Sequence, residues 1–178
     1  MIRRLLGATA LAAAVFTGAT PAMAQTSISV SGGVSAPVGD LGDVTDLGYH
    51  IGAGLNVGVP TLPVGLRFEG GYDGLGIKNT SSTLRILSGT ANAIFNIGVT
   101  KDAPYLIGGL GIYNRSSSTG GGTYGPSKTV LGLNGGGGLR FPLSGISTFF
   151  EARYHIMFND GTDGTNFQFI PITFGITF

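Results

Sequence analysis

The last twelve residues, Phe167 to Phe178, limit what this chain can fold into more than any other stretch. They read Phe-Gln-Phe-Ile-Pro-Ile-Thr-Phe-Gly-Ile-Thr-Phe. In an extended strand Ile170, Ile172, Phe174, Ile176 and Phe178 fall on one face, and Thr173, Gly175 and Thr177 on the other. One face is oily and the other is small or polar. Such a strand suits a wall with lipid on one side and a lumen on the other better than a fully buried sheet.

The same period of two recurs upstream. It runs through Ser27–Ala36, Gly48–Val59, Val64–Asp73, Leu84–Ile97, Tyr105–Asn114, Lys128–Phe141 and Ser147–Phe158, which with the last stretch predicts eight strands. In Tyr105–Asn114 both faces are apolar or glycine, so alternation alone does not orient it. A helical reading of these stretches fails. The chain holds 33 glycines, many within these stretches, and each costs a helix interior about 1 kcal/mol.

The connections alternate in kind. Pro60–Pro63, Gly98–Pro104 and Pro142–Ile146 are short. Pro37–Leu47, Gly74–Thr83, Arg115–Ser127 and Asn159–Asn166 are longer and more polar. Short periplasmic turns and longer extracellular loops are the asymmetry of an outer-membrane barrel, with both termini on the short-turn side. The N-terminus carries the export signal. Arg3 and Arg4 precede a short apolar core, Leu5–Phe16, and Ala22-Met23-Ala24 precedes Gln25. This predicts a signal peptide over residues 1–24, cleaved between Ala24 and Gln25, and a single barrel over residues 25–178. Removing Arg3 and Arg4 from ten basic side chains leaves eight, against nine acidic ones. That near-neutral balance points to no nucleic-acid partner. With no cysteine, disulfides, thiolate metal sites and a cysteine nucleophile are excluded.

Charges set the register. A slip of one residue would turn Arg67, Glu69, Arg140, Glu151 and Arg153 toward lipid, and an arginine at the bilayer midplane costs roughly 2–4 kcal/mol. These five are therefore expected in the lumen as a salt-bridged network, joined by His50, Asp73 and His155. Aromatics are expected in two girdles: Phe95, Tyr105, Phe141, Phe150 and Phe178 beside the short turns, and Tyr49, Tyr72, Tyr113, Phe158 and Phe167 beside the long loops. Pro171 conflicts with the pattern. It sits mid-strand in a barrel that has no edge, which predicts a bulge or a locally broken seam.

The Ala22-Met23-Ala24 signal, Pro104-Tyr-Leu-Ile-Gly-Gly-Leu-Gly after a short turn, Leu66-Arg-Phe-Glu, Phe150-Glu-Ala-Arg-Tyr and the terminal Phe178 carry a resemblance. The chain resembles the small OmpA/OmpX-like outer-membrane β-barrel domain family over its whole mature length. The resemblance implies an all-β, transmembrane, eight-stranded antiparallel up-and-down barrel in the bacterial outer membrane. It also implies that the last strand, with Phe174, Ile176 and Phe178, is what the barrel-assembly machinery recognises. No peptidoglycan-binding domain follows the barrel, so a cell-wall tether is not expected.

Three functions compete. A structural or surface-interaction barrel would meet lipids, lipopolysaccharide or other cells through its loops and work as a monomer without cofactor or metal. A narrow pore would keep the lumen open to small solutes. A lipid-modifying enzyme would need His50 or His155 as base within reach of a nucleophile. No catalytic residue is assigned. The acidic loops, Asp40-Leu-Gly-Asp43-Val-Thr-Asp46 and Asp160-Gly-Thr-Asp163, offer oxygen ligands to calcium but lack the EF-hand order. Gly120–Gly122 and Gly135–Gly138 open no helix and make no phosphate loop.

Overall fold

The structure, a computed structural model, describes residues 25–58, 64–97, 104–119, 123–158 and 166–178. The signal-peptide reading for residues 1–24, the Pro60–Pro63 turn, most of the Gly98–Pro104 turn and the Asp160–Asp163 acidic loop lie outside them. In chain order the elements are β1 (Gln25–Val38), α1 (Asp40–Val44), β2 (Thr45–Gly58), β3 (Val64–Ile77), β4 (Thr83–Asn96) and β5 (Pro104–Thr119), then β6 (Thr123–Tyr124), β7 (Lys128–Leu143), β8 (Ile146–Met157) and β9 (Phe167–Thr177).

Eight strands form the wall. Each pairs antiparallel with its neighbours in the order β1-β2-β3-β4-β5-β7-β8-β9, and β9 returns to β1. The sheet is therefore a closed up-and-down barrel with no edge. The backbones of Ile28 and Phe178 exchange two hydrogen bonds, so the final residue extends the β1–β9 seam. The two-residue β6 adds only a short ladder to the loop end of β5. Among the described residues no helix is long and apolar enough to cross a membrane, so the crossing elements are strands.

The strands outrun their expected bounds at the loop end. β3 continues to Ile77 and β5 to Thr119. The Gly74–Thr83 loop shrinks to a turn over residues 78–82, where Asn79 takes a positive φ of 59°; Asn tolerates the left-handed region better than most residues. At the other end the Pro142–Ile146 connection narrows to Ser144-Gly145, with Leu143 facing Ile146 across the hairpin. Gly145 supplies a φ of 87° that a residue with a Cβ rarely adopts.

Alternation puts the expected faces where the register argument requires them. Ile28, Val34, Ile51, Phe68, Leu87, Leu131, Phe150 and Phe174 all point outward and stay exposed. The ambiguous β5 is settled by its neighbours: Leu106, Leu110 and Ile112 face out, and Tyr105, Ile107 and Tyr113 face in. Inside, an apolar cluster of Leu41, Leu75, Ile86, Tyr113, Val130, Met157 and Phe169 fills the loop end. Leu41 enters it from α1, which sits in the first long loop; Thr45 Oγ1 donates to the Leu41 carbonyl at 2.7 Å, and Lys78 Nζ to the Gly42 carbonyl at 2.6 Å.

The two girdles need correction. Tyr105 and Tyr113 are buried in the lumen, and Phe167 packs against the interior cluster. Each shares its strand's inward parity, which outweighs its nearness to a strand end. Phe95, Phe141, Phe150 and Phe178 at one end, and Tyr49 and Phe158 at the other, do face outward.

Pro171 breaks one seam and not the other. Pairing with β1 runs unbroken through Ser35–Pro171. Pairing with β8 stops after Ala152–Ile172 and resumes at His155–Phe169 in the same register. The seam is locally broken and no residue is inserted. Its cause is the amide proton that proline lacks.

Candidate functional site

The lumenal charges form a brace across the full width of the barrel. β3 and β8 stand four places apart in the ring of eight, so they face each other across the lumen and run in the same direction. β3 presents Arg67 and then Glu69; β8 presents Glu151 and then Arg153. The reversed order brings unlike charges together. Arg67 NH1 donates to Glu151 Oε2 at 2.9 Å, and Arg153 pairs with Glu69. Cross-links complete the square, with Arg153 Nε donating to Glu151 Oε1 at 2.8 Å and Arg67 NH1 lying 3.7 Å from Glu69 Oε2. All four side chains are buried, and their charges sum to zero. A buried carboxylate or guanidinium is tolerable only when paired and hydrogen-bonded, and here each is.

Neutral groups extend the brace. Tyr105 donates its hydroxyl to Glu151 Oε2 at 2.6 Å, and Arg67 Nε donates to Asn56 Oδ1 at 2.8 Å. The Arg67 guanidinium also lies over the Phe149 ring, 5.1 Å from its centroid. A second chain crosses from β7 to β4, where Asn134 Nδ2 donates to Asn92 Oδ1 at 2.8 Å and Asn92 Nδ2 donates to Thr90 Oγ1 at 2.9 Å.

Arg140 points inward as expected but does not join the carboxylate square. It is half-buried, its guanidinium lies 5.2 Å from the Tyr105 ring centroid, and NH1 reaches Asn96 Oδ1 at 3.5 Å. It meets the network through an aromatic face. Asp73 and both histidines are buried. His50 Nδ1 lies 2.8 Å from Asp73 Oδ1, and Tyr113 Oη lies 2.9 Å from His155 Nδ1. The His155 ring stacks on Phe169, with centroids 4.8 Å apart.

Asp73 and His50 have the acid–base half of a nucleophilic triad. Ser31, Gly52, Gly71 and Ser88 form one cross-strand row that flanks the imidazole. A Cβ on Gly52 would press on Ser31 Oγ and His50 Nε2, and one on Gly71 on Ser88 Oγ and the imidazole. Yet His50 Nε2 is buried and makes no hydrogen bond to either serine. In the first acidic loop Asp40 and Asp43 fall in the first turn of α1. Among the described residues no group of three or more His, Asp or Glu side chains is placed to hold a metal ion.

Three aromatic rings cover the glycine opposite them. Tyr49 faces Gly74, Tyr105 faces Gly138, and Phe149 faces Gly175, each pair in direct cross-strand register. In every case a Cβ on the glycine would strike the ring. The bare backbone is thus the seat of the ring, and the ring shields that backbone. Gly138 lets Tyr105 lie flat and aim its hydroxyl at Glu151.

A closed eight-stranded barrel, apolar outside and charge-paired within, belongs to the class of transmembrane β-barrels. Residues 8–178 match the family model for the outer membrane protein beta-barrel domain. The chain belongs to that family, and its place is the bacterial outer membrane. No curated protein sequence matches it. Solved barrels share the fold. Neisserial surface protein A has 17% identity and a TM-score of 0.62, over 86% of this chain and 97% of that one. Ail of Yersinia pestis, in complex with the heparin analogue sucrose octasulfate, has 18% identity and a TM-score of 0.54, over 87% and 99%. The N-terminal barrel domain of Pseudomonas aeruginosa OprF has 14% identity and a TM-score of 0.51, over 88% and 100%.

Proposed function

We propose that this protein is a closed, non-conducting outer-membrane barrel whose role is structural and surface-facing, exerted through its loop end as a monomer. The Arg67–Glu151–Arg153–Glu69 square carries the reading. It spans the lumen from β3 to β8, and solutes would have to break paired, buried charges to pass. The Leu41 cluster supports it by filling the loop end with apolar side chains. An eight-stranded interior is just wide enough for side chains to fill.

The loop end is the part left to meet other molecules, and lipopolysaccharide of the outer leaflet is the partner nearest to it. The last strand is the segment we assign to the barrel-assembly machinery, since Phe174, Ile176 and Phe178 line its outward face and Phe178 pairs with Ile28 at the seam. The buried and unpaired His50 Nε2 favours a structural histidine over a catalytic base.

Single-channel recording in planar bilayers tests the proposal. The wild type is expected to show no steady conductance above leak. Replacing both Glu151 and Arg153 with glycine is expected to open measurable, cation- or anion-biased steps. Steady conductance from the wild type would overturn the closed reading and favour the pore.

A further inference from the structure

The wall does not end level on its short-turn side. β7 and β8 stay paired down to Leu143–Ile146, whereas β7 pairs with β5 only as far as Leu139 and β8 with β9 only as far as Ser147. Residues 140–146 therefore form a two-stranded tip beyond the described rungs on either side. Its outward face is oily. Phe141, Leu143 and Ile146 are all exposed, Leu143 by 57%. No charged residue lies between Arg140 and Glu151, and both of those point inward. Thr148, the polar residue on the same face, donates its hydroxyl to the Phe141 carbonyl at 3.2 Å.

A tip that met only water would turn polar on its outward face. β1 does so, with an exposed Thr26 next below Ile28 on that face. On β7 the outward column runs from Leu131 to Leu143 without a polar side chain. Above Leu131 it turns polar at Thr129, whose hydroxyl accepts from Asn114 Nδ2 at 2.8 Å. The top of the column is thus fixed at head-group level, and any excess length falls at the tip. The column is about 40 Å of strand, and a tilt of about 40° leaves about 30 Å of height. The apolar band of such barrels is about 25 Å tall. The excess of about 5 Å matches the two residues from Phe141 to Leu143.

We infer that the β7–β8 tip is a contact site for inner-leaflet phospholipid, whose chains follow the wall past Phe141 and cover Leu143 and Ile146. Continuity with the lipid-facing wall and the uncharged tip point to this occupant. The bilayer thickens locally along the hairpin, because covering an apolar excess with lipid costs less than wetting it. The inference draws on the lipid-facing wall and not on the role of the loop end.

Single-cysteine labelling tests it, because the chain has no cysteine of its own. The full barrel, one copy per disc, is placed in nanodiscs of long-chain or short-chain phosphatidylcholine and exposed to a charged maleimide. Each rate is taken relative to that of the same variant unfolded in urea, and heat-modifiable migration on gels confirms that each variant is folded. In long-chain discs Leu143→Cys should react at least tenfold more slowly than Ser144→Cys, which lies in the turn. In short-chain discs the bilayer no longer reaches the tip, and the difference should fall below about threefold. Equal labelling of the two sites in long-chain discs would place the tip in water and overturn the inference. Protection of Leu143→Cys that is unchanged in short-chain discs would mean that the chain itself covers the site, and would overturn it as well. With one copy per disc, a second barrel cannot supply the protection. Either failure would leave the closed, loop-facing reading of the barrel intact.

Discussion

Glu151 is the residue on which the lumen depends most. It accepts from Arg67, Arg153 and Tyr105 at once. Glu151→Gln keeps the shape and removes the charge, leaving two guanidinium groups with one carboxylate. Breaking a buried pair from one side costs about 3–5 kcal/mol. We expect a loss of that order in the unfolding free energy measured by urea titration in phospholipid vesicles. Arg67→Met combined with Glu151→Leu removes one cation and one anion together, and its loss should fall short of the two single losses added. The glycines make a second contrast at this scale. Gly138→Ala drives a methyl into the Tyr105 ring and should cost about 1–3 kcal/mol in the same titration. Gly70→Ala meets open space and should change stability by less than about 0.5 kcal/mol. If both substitutions cost the same, the ring-on-glycine seats are not what holds Tyr105 in place.

At the scale of the element, β9 is the informative strand. It closes the barrel, and it carries the proline that a closing strand should avoid. The ladder to β1 is whole and the ladder to β8 is interrupted at Arg153–Tyr154. The missing donor leaves the Arg153 carbonyl without its ladder partner. Pro171→Ala supplies that donor, and the amide it introduces should exchange with solvent deuterium as slowly as the amides of Phe169 and Thr173. Rapid exchange of that amide would show that the proline is not what opens the seam. The side chains of Arg153 and Glu69 hold the region together from within, which is why the defect is local. α1 works the other way. A five-residue helix has little stability of its own; it persists because Leu41 is buried in the apolar cluster at the loop end.

The whole molecule is two nested layers with opposite chemistry. Around the middle of the wall the outward side chains are apolar or aromatic. Inside, an apolar cap at the loop end sits above a neutral square of charges and a ladder of asparagines. Both interior layers tie strands that are not neighbours, so removing either should loosen the barrel as a unit. For Glu151→Gln we expect the temperature at which the protein loses its compact migration on gels to drop, with a single transition rather than two. Two separate transitions would mean that the cap and the square melt independently.

Much of this was legible before any coordinates. Period-two alternation and the cost of charge in lipid were sufficient for strand number, inward and outward faces, and the lumenal placement of Arg67, Glu69, Glu151, Arg153, His50, Asp73 and His155. Pro171 announced its own defect, because a missing donor is a local property. What stayed hidden was everything that depends on which strand lies opposite which. The square needs β3 and β8 to be diametrically opposed and parallel, and Arg-x-Glu to meet Glu-x-Arg at one level. That order is written in the chain and acquires meaning only once the barrel closes. Tyr105 and Tyr113 were misplaced for the same reason: both faces of β5 look alike, and only hydrogen bonding to β4 and β7 sets its phase. Leu41 lay in a stretch read as loop, and a loop residue becomes a plug only when a mouth exists to receive it. Alternation is set by backbone geometry within each strand, so the sequence alone could determine it. Partnership across a lumen is set by closure of the sheet, which only the tertiary structure could decide.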